Sequence, residues 1–142
     1  MDELTQPLAT EIERLREAYA ALNRNDIDGV IRSFDASIER VEPADFPGAG
    51  TYRGLDAVKA HFVKARESWA EGTCEPQRLL VSGDRVVVFA HVHVKLKNEA
   101  EWRDGDVTDV FTFRNGKVVY WRTFTDRQQA LEWAGVEPSD LS

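Results

Sequence analysis

Four ionisable side chains occupy strand-like, largely apolar segments of the sequence, where such groups are uncommon. His91 and His93 alternate with valines in one segment, Asp109 lies within a second, and Glu42 ends a third directly before Pro43. Imidazole and carboxyl groups transfer protons near neutral pH when their surroundings tune them. These residues indicate acid–base chemistry on a small molecule, although their spacing alone defines no complete catalytic set.

The two histidines share one face of their strand, because successive side chains point to opposite sides. His91 and His93 could transfer protons to one ligand, hydrogen-bond it, or simply line a polar patch. A His-x-His pair beside an acid also matches part of a metal site. Since spacing fixes no third ligand, we expect neither a metal nor any other cofactor.

Hydrophobic periodicity places these groups on strands that follow a set of helices. An apolar stripe predicts a first helix to about Asn23, and Asn25 or Asp26 can cap a second, short helix. Asp126 can cap a closing helix that Gly135 ends. The pattern predicts helices near 8–23, 27–34 and 55–69, a loop over 43–54, and strands over 37–42, 77–82, 85–97, 102–113 and 118–125.

Helices followed by an antiparallel meander indicate an α+β domain with a curved sheet wrapped around its N-terminal helices. In the strand over 85–97, one face carries Phe89, His91 and His93, and we assign that face to an enclosed, mainly apolar pocket. The opposite face would then be a large exposed apolar patch. We therefore predict a homodimer joined through that face, which carries Val86, Val88, Ala90, Val92, Val94 and Leu96.

Composition narrows the function classes. The 142 residues suit one domain, 1–142, with frayed ends at 1–7 and 137–142. A formal charge of −7 argues against nucleic acid and anionic membrane surfaces as partners. We find no signal peptide and no membrane-spanning segment, and Cys74 is a lone cysteine. These features predict a cytoplasmic protein in which Cys74 is a small, half-buried apolar residue. The predicted ligand is a small apolar molecule, because the predicted pocket is mainly apolar.

The last hairpin has two possible registers across Asn115-Gly116. A two-residue turn pairs Asp109 with Arg122, whereas a three-residue loop pairs Asp109 with Trp121. The second register gathers on one face the side chains Val107, Asp109, Phe111, Val119, Trp121 and Thr123. Burial among aromatic rings would favour a neutral Asp109 that donates a proton. The alternative is an Asp that is simply hydrogen-bonded to a neighbouring histidine.

The order of these elements resembles the nuclear transport factor 2-like superfamily, and within it the SnoaL-like polyketide cyclases and ketosteroid isomerases. The resemblance spans about 8–135 and implies a cystatin-like α+β barrel and the three-residue loop. That scaffold carries isomerases, hydrolases, cyclases, dehydratases and binding modules. The residues of this sequence that carry the resemblance are Asp26-Ile27-Asp28-Gly29, Glu42-Pro43, Gly54 before the third helix, and the segment 109–117.

The resemblance implies a cofactor-free acid–base enzyme for an apolar carbonyl compound. Glu42 or a histidine would remove a proton, and neutral Asp109 would hydrogen-bond the enolate oxygen. The partner tyrosine of ketosteroid isomerases would fall at Ala18, one residue before Tyr19, and His61 is interpreted as a core-edge residue. The predicted ligand wall comprises Phe46, Tyr52, Phe89, Phe111, Trp121 and Thr123.

Two alternatives stay open on the sequence alone. Glu42 could be an exposed strand-end acid paired with Arg40 or Arg53, with no chemical role. The whole domain could bind an apolar ligand without turnover, or serve as a dimeric interaction domain.

Overall fold

The computed structural model describes residues 8–137. Residues 1–7 and 138–142, where fraying is predicted, lie outside that range. Within it the helices are α1 (Ala9–Asn23), α2 (Ile27–Ile31), α3 (Leu55–Glu67) and α4 (Arg127–Ala134). The strands are β1 (Phe34–Glu42), β2 (Gly50–Arg53), β3 (Trp69–Ser82), β4 (Arg85–Leu96), β5 (Trp102–Arg114) and β6 (Lys117–Phe124).

The strands form one curved, unclosed sheet in the order β2-β1-β6-β5-β4-β3. β1 runs parallel to β6, and the other neighbouring strands are antiparallel. Helices α1 and α3 pack on one face, which we call the inner face, and α4 packs on the other, the outer face. The predicted α+β architecture is confirmed.

Three strand segments differ from the sequence-based prediction, the first being β1, which begins at Phe34 within the segment predicted as the second helix. β2 lies within the segment predicted as a loop, and β3 begins at Trp69, which was expected to end the third helix. The residues from Trp69 onward pair with β4 from Leu96 back to Arg85, with two irregularities on the way. Pairing with a long neighbouring strand provides hydrogen bonds that local periodicity does not reveal.

The assignment of the two faces of β4 is wrong. Val86, Val88 and Ala90 pack in the core under the helices, and Val94 and Leu96 are also buried on the inner face. A wholly apolar strand face is stabilised by burial within its own chain, so it is not available as a dimer surface. The homodimer itself stays a prediction without an assigned face.

The final hairpin also differs from the prediction. Arg114 pairs with Lys117, so the turn has two residues, both with positive φ, which is typical of a tight hairpin turn. A bulge between Thr112 and Phe113 then shifts the register by one, and Asp109 pairs with Thr123. The predicted Asp109–Trp121 pairing is wrong. The shift nevertheless keeps Asp109 and Trp121 on the same face, as the sequence predicts.

Local capping agrees with the sequence. The Asp26 side chain accepts a hydrogen bond from the backbone N–H of Gly29 and caps α2. Asp126 caps α4 in the same way, and Gly135 ends α4 with a φ of 78°. Among the described helices, none combines the length and apolar character needed to cross a membrane.

Candidate active site

A cavity of about 520 Å³ lies between the inner face of the sheet and helices α1 and α3. Its wall is mainly apolar, with Leu22 and Phe62 on the helical side and Trp69, Val92 and Val94 on the sheet. Such a lining, interrupted by a few polar groups, is typical of small-molecule sites. Two polar clusters interrupt it here.

The first, which we call the Asp109 cluster, consists of Tyr19, Asp109 and Thr123. The Tyr19 hydroxyl donates to Asp109 Oδ2, and the Thr123 hydroxyl donates to Oδ1. Each of the three residues is 3% exposed. They converge because Asp109 and Thr123 are register partners on β5 and β6, while Tyr19 projects from α1.

Burial governs the protonation of the Tyr19 phenol. Burial, followed by the nearby Asp109 carboxyl and Cys74, raises the pKa of Tyr19 well above 10.0. Tyr19 therefore stays protonated and remains a hydrogen-bond donor throughout the physiological pH range. The same cavity wall includes the Cys74 thiol, whose pKa is also raised by burial.

The second group, the Glu42 cluster, consists of Glu42, His61 and Arg40. His61 Nε2 is hydrogen-bonded to Glu42 Oε2, and Arg40 Nη2 lies 3.5 Å from the same oxygen. The three side chains are between 5% and 9% exposed. Tyr52 stacks on the His61 ring with 3.8 Å between ring centroids, which fixes the ring beside the carboxylate.

This environment excludes the interpretation of Glu42 as an exposed strand-end acid. Arg40 is indeed close to Glu42, but both are buried in the cavity wall. Arg53, the other suggested partner, pairs instead with Glu39, 3.4 Å away. Buried acids with specific partners are enriched at functional sites.

Both clusters lie on the inner face along one row of the sheet. The parallel register pairs Val41 with Arg122, so Glu42 follows beside Thr123, which in turn pairs with Asp109. Two strand spacings therefore separate the backbones of Glu42 and Asp109, about 10 Å. A flat molecule of one or two rings can contact both clusters at once.

A loop over 43–49 covers the Glu42 cluster. Phe46 and Gly48 line the cavity, and the Tyr52 hydroxyl donates to the Gly48 carbonyl at 2.8 Å. A Cβ atom on Gly48 would lie 2.7 Å from His61 Cε1 and 3.0 Å from Glu42 Oε1, so only glycine permits this approach. The loop is thus closely fitted to the cluster beneath it.

The structure places both predicted histidines on the outer face. His91 is hydrogen-bonded to Asp106 at 2.8 Å and to Asp104 at 2.9 Å, and His93 to Asp104 at 2.8 Å. The side chains of His91 and His93 are 36% and 50% exposed. The prediction that they face the pocket is wrong, since the alternation along β4 puts them opposite the side on which Val92 lines the cavity.

Four of the six residues predicted to contact a ligand lie in the cavity wall. Phe46, Tyr52, Trp121 and Thr123 line the cavity. Phe89 packs on the outer face with α4, because it shares a strand face with the histidines. Phe111 is 1% exposed and packs behind Trp121, with 4.7 Å between ring centroids, so it supports the wall from within the core.

Sequence reasoning missed three site residues, Tyr19, Arg40 and His61. Tyr19 is recognisable in the sequence as a hydroxyl on an otherwise apolar helical stripe. The resemblance, however, places the partner tyrosine at Ala18, one residue earlier. Arg40 alternates with Glu42 on β1, which predicts a shared face. His61 neighbours Phe62, and only the fold brings it to Glu42.

Metal-binding geometry is not present in the part of the chain that the structure describes: no group of three or more His, Cys, Asp or Glu side chains is arranged to hold an ion. The outer histidines with Asp104 and Asp106 are therefore described as a hydrogen-bonded charged patch.

The fold and the cavity agree with comparisons against known proteins. The SnoaL-like domain family model matches residues 15–121. The chain therefore belongs to the SnoaL-like family, within the nuclear transport factor 2-like superfamily. No curated protein matches the sequence.

Solved structures extend the likeness to nearly the whole chain. An NTF2-like protein of unknown function from Burkholderia pseudomallei is 24% identical, with a TM-score of 0.74 over 87% of this chain and 96% of its own. One from Burkholderia thailandensis is 27% identical, with a TM-score of 0.72 over 88% and 96%. TerC, co-crystallised with polyporic acid, is 23% identical, with a TM-score of 0.73 over 89% and 99%.

Proposed function

We propose that this protein is a cofactor-free acid–base enzyme that acts on an apolar carbonyl compound by isomerase-, cyclase- or dehydratase-type proton transfer. The observation that carries the proposal is the placement of two buried polar clusters on one row of one apolar cavity. Membership of the SnoaL-like family, which includes polyketide cyclases and isomerases, supports the reaction class.

Glu42 is the base in this proposal. Its carboxylate removes a proton from the carbon next to the substrate carbonyl, and the electron pair of the broken C–H bond forms the enolate. Arg40 and His61 position the carboxylate, because both contact its Oε2 atom. Glu42 then returns the proton to a different carbon, so the enzyme is regenerated without a co-reactant.

The Asp109 cluster binds the oxygen on which negative charge develops. The Tyr19 and Thr123 hydroxyls donate to the two oxygens of Asp109, and in this proposal a proton carried by Asp109 supplies the O–H that donates to the enolate oxygen. The raised pKa of Tyr19 supports this role, since a protonated phenol is a donor. Preorganised donors of this kind stabilise the transition state more than the ground state.

The apolar walls support a ring-bearing substrate. Trp69, Phe62 and Trp121 present aromatic surface to the cavity, and a volume of about 520 Å³ suits a molecule of two or three rings. TerC, which shares the fold, was co-crystallised with polyporic acid, and this supports a small-molecule ligand for this protein.

Deuterium exchange tests the proposal directly. A panel of cyclic ketones is incubated with the protein in deuterated water, and NMR follows loss of the proton signal next to the carbonyl. We expect exchange above the buffer rate for at least one bicyclic ketone. Saturable binding of the panel without exchange would contradict catalysis and identify a ligand-binding protein.

Absence of binding would contradict both the enzyme and the ligand-binding protein. If neither ketones nor naphthols bind, the result favours the interaction-domain alternative. Naphthol is included because a phenolic oxygen on a flat ring system imitates an enolate.

A further inference from the structure

Two hydrogen-bond donors in the cavity wall have no partner. Within the described residues, the buried side-chain atoms that lack a hydrogen bond are Arg40 Nε, Trp121 Nε1 and Arg85 Nε. Arg40 and Trp121 both line the cavity, whereas Arg85 does not. Both are at least nine-tenths buried, at 4% and 5% exposure.

The two unpartnered groups are neighbours. Arg40 on β1 is the register partner of Trp121 on β6, and the guanidinium carbon lies 4.3 Å from the centroid of the indole ring. The terminal nitrogens of Arg40 are already engaged, Nη1 with the carbonyl oxygen of Val41 at 2.7 Å and Nη2 with Glu42 at 3.5 Å. The Nε–H group is therefore the donor left over, and the indole N–H can only donate.

Buried N–H groups are normally paired, because an unpaired donor forfeits its bonds to water without compensation. Two such donors on register-paired, cavity-lining residues favour a ligand that supplies the acceptor. The proposed function does not use them, since the carbonyl oxygen is placed at the Asp109 cluster. They are suited to a second oxygen of the substrate.

The charge at this position favours an acidic oxygen. Arg40 is a buried cation whose nearest carboxylate oxygen, Glu42 Oε2, lies 3.5 Å away and is shared with His61. One carboxylate and the faces of the Trp121 and Phe62 rings, 4.3 Å and 5.9 Å from the guanidinium carbon, compensate its charge, so an acidic oxygen would be its second anionic partner. A hydrogen bond from a guanidinium to an ionised oxygen is about twice as strong as one between neutral groups.

We propose that the substrate carries an acidic oxygen, of the enol, phenol or carboxylic acid type, and that Arg40 Nε and Trp121 Nε1 bind it. This inference rests on the proposed function, because it names a group of the substrate of the same cavity. Its test measures binding alone, so it can fail or hold independently of turnover.

The probes are matched pairs that differ in the acidic oxygen. 2-Hydroxy-1,4-naphthoquinone is compared with its 2-methoxy analogue, and 1-naphthoate with methyl 1-naphthoate, by isothermal titration calorimetry. We expect at least one acid to bind about tenfold or more tightly than its neutral partner, as a charge-assisted hydrogen bond predicts. The pair with the larger preference distinguishes an enol from a carboxylate. Equal affinities within both pairs would overturn the inference.

Three variants locate the preference. Arg40→Met keeps an unbranched stem and should reduce the acid-to-neutral affinity ratio to about one, and Trp121→Phe, which removes the indole N–H, should reduce it less. Arg53→Met makes the same charge change on β2, where Arg53 is 75% exposed, and should leave the ratio unchanged. Retention of the ratio in both Arg40→Met and Trp121→Phe would overturn the assignment.

A measurement on the unaltered protein covers the case in which a variant fails to fold. In ¹H–¹⁵N spectra, the indole signal of Trp121 should move downfield when the preferred acid is added and not when its neutral partner is added. An unchanged indole chemical shift at saturation would contradict binding of the acid by Trp121 Nε1. An acid preference without proton exchange would support this inference and contradict the proposed enzyme activity. Exchange without any acid preference would support the enzyme activity and contradict this inference.

Discussion

The two faces of the sheet carry the same kinds of side chain in opposite surroundings. On the inner face, Glu42 is bound to His61, and the two side chains are 9% and 6% exposed. On the outer face, His91 is bound to Asp104 and Asp106, and all three are at least 36% exposed. Both are carboxyl–imidazole arrangements with good geometry. Burial, rather than residue type, makes only the inner one a candidate for catalysis.

The pKa shifts follow the same division. On the outer face, hydrogen bonds dominate: Asp106 and then Asp104 raise the pKa of His91, and His93 and His91 lower that of Asp104. Exposed pairs of this kind contribute little to stability. On the inner face, burial is the first cause of the raised pKa of Tyr19. Charged and polar groups there are shielded from bulk solvent, so a lost partner is not readily replaced.

The largest effect is expected from Glu42→Gln, which removes the proposed base but keeps its volume. Proton exchange at the carbon next to a bound ketone should fall by about 10²–10⁴-fold, the usual contribution of a general base. Naphthol affinity should change little. The matched control is His91→Asn on the outer face, which should leave the exchange rate intact. If His91→Asn abolishes exchange, the division between the faces is wrong.

Asp109→Ala should give the next largest effect, because it leaves two buried hydroxyls, on Tyr19 and Thr123, without their acceptor. We expect a loss of about 1–3 kcal/mol in the free energy of unfolding by urea titration, and a similar loss in naphthol binding. Asp109→Asn should lose less.

The comparison with the outer face serves as the control for this variant. Asp106→Ala removes an exposed carboxylate and should change the free energy of unfolding by no more than about 0.5 kcal/mol. Equal destabilisation by Asp106→Ala and Asp109→Ala would contradict a buried hydrogen-bond cluster around Asp109.

Alkaline pH should reveal the burial of Tyr19. Its pKa is raised in the folded state, so its contribution to stability is full below pH 10.0 and is lost as pH rises from 10.0 towards the folded-state pKa. The slope is at most about 1.4 kcal/mol per pH unit. Unfolding titrations between pH 9 and 11 should show a steeper loss in the unaltered protein than in Tyr19→Phe. Parallel pH dependences would contradict the assignment.

The smallest effect concerns His91. Its folded pKa is raised, so the stabilisation is present below about pH 6.5 and is lost as pH rises through the folded pKa. NMR titration of the imidazole should give a midpoint above 6.5. Asp106→Asn should lower that midpoint more than Asp104→Asn, since Asp106 is the larger cause. A midpoint unaffected by either variant would contradict the hydrogen bonds of His91 to Asp106 and Asp104.

Several features of the fold could be predicted because they depend on neighbouring residues. The apolar stripe of α1 and the caps Asp26 and Asp126 follow from helical spacing and from side chains that bond to nearby backbone. The placement of Asp109 and Trp121 on one face was predicted from a three-residue loop, whereas a two-residue turn and a bulge produce it. β3 could not be predicted from Trp69 onward, because its pairing with β4 is a long-range interaction.

The candidate site divides in the same manner. Sequence alone identified Glu42 and Asp109 as acids in apolar strands, and it selected Phe46, Tyr52 and Thr123, which line the cavity. It did not identify the partners, because hydrogen bonds between residues 19 and 109 or 42 and 61 join elements far apart in the chain.

The sequence by itself determined the α+β class, the helical stripes and the alternation of faces along each strand. Only the tertiary structure decided which face of β4 is inside, and hence that His91 and His93 meet water while Val88 and Val94 do not. The physical reason is that alternation fixes which side chains share a face, whereas the choice between faces depends on where the helices pack. That choice buries the larger apolar surface.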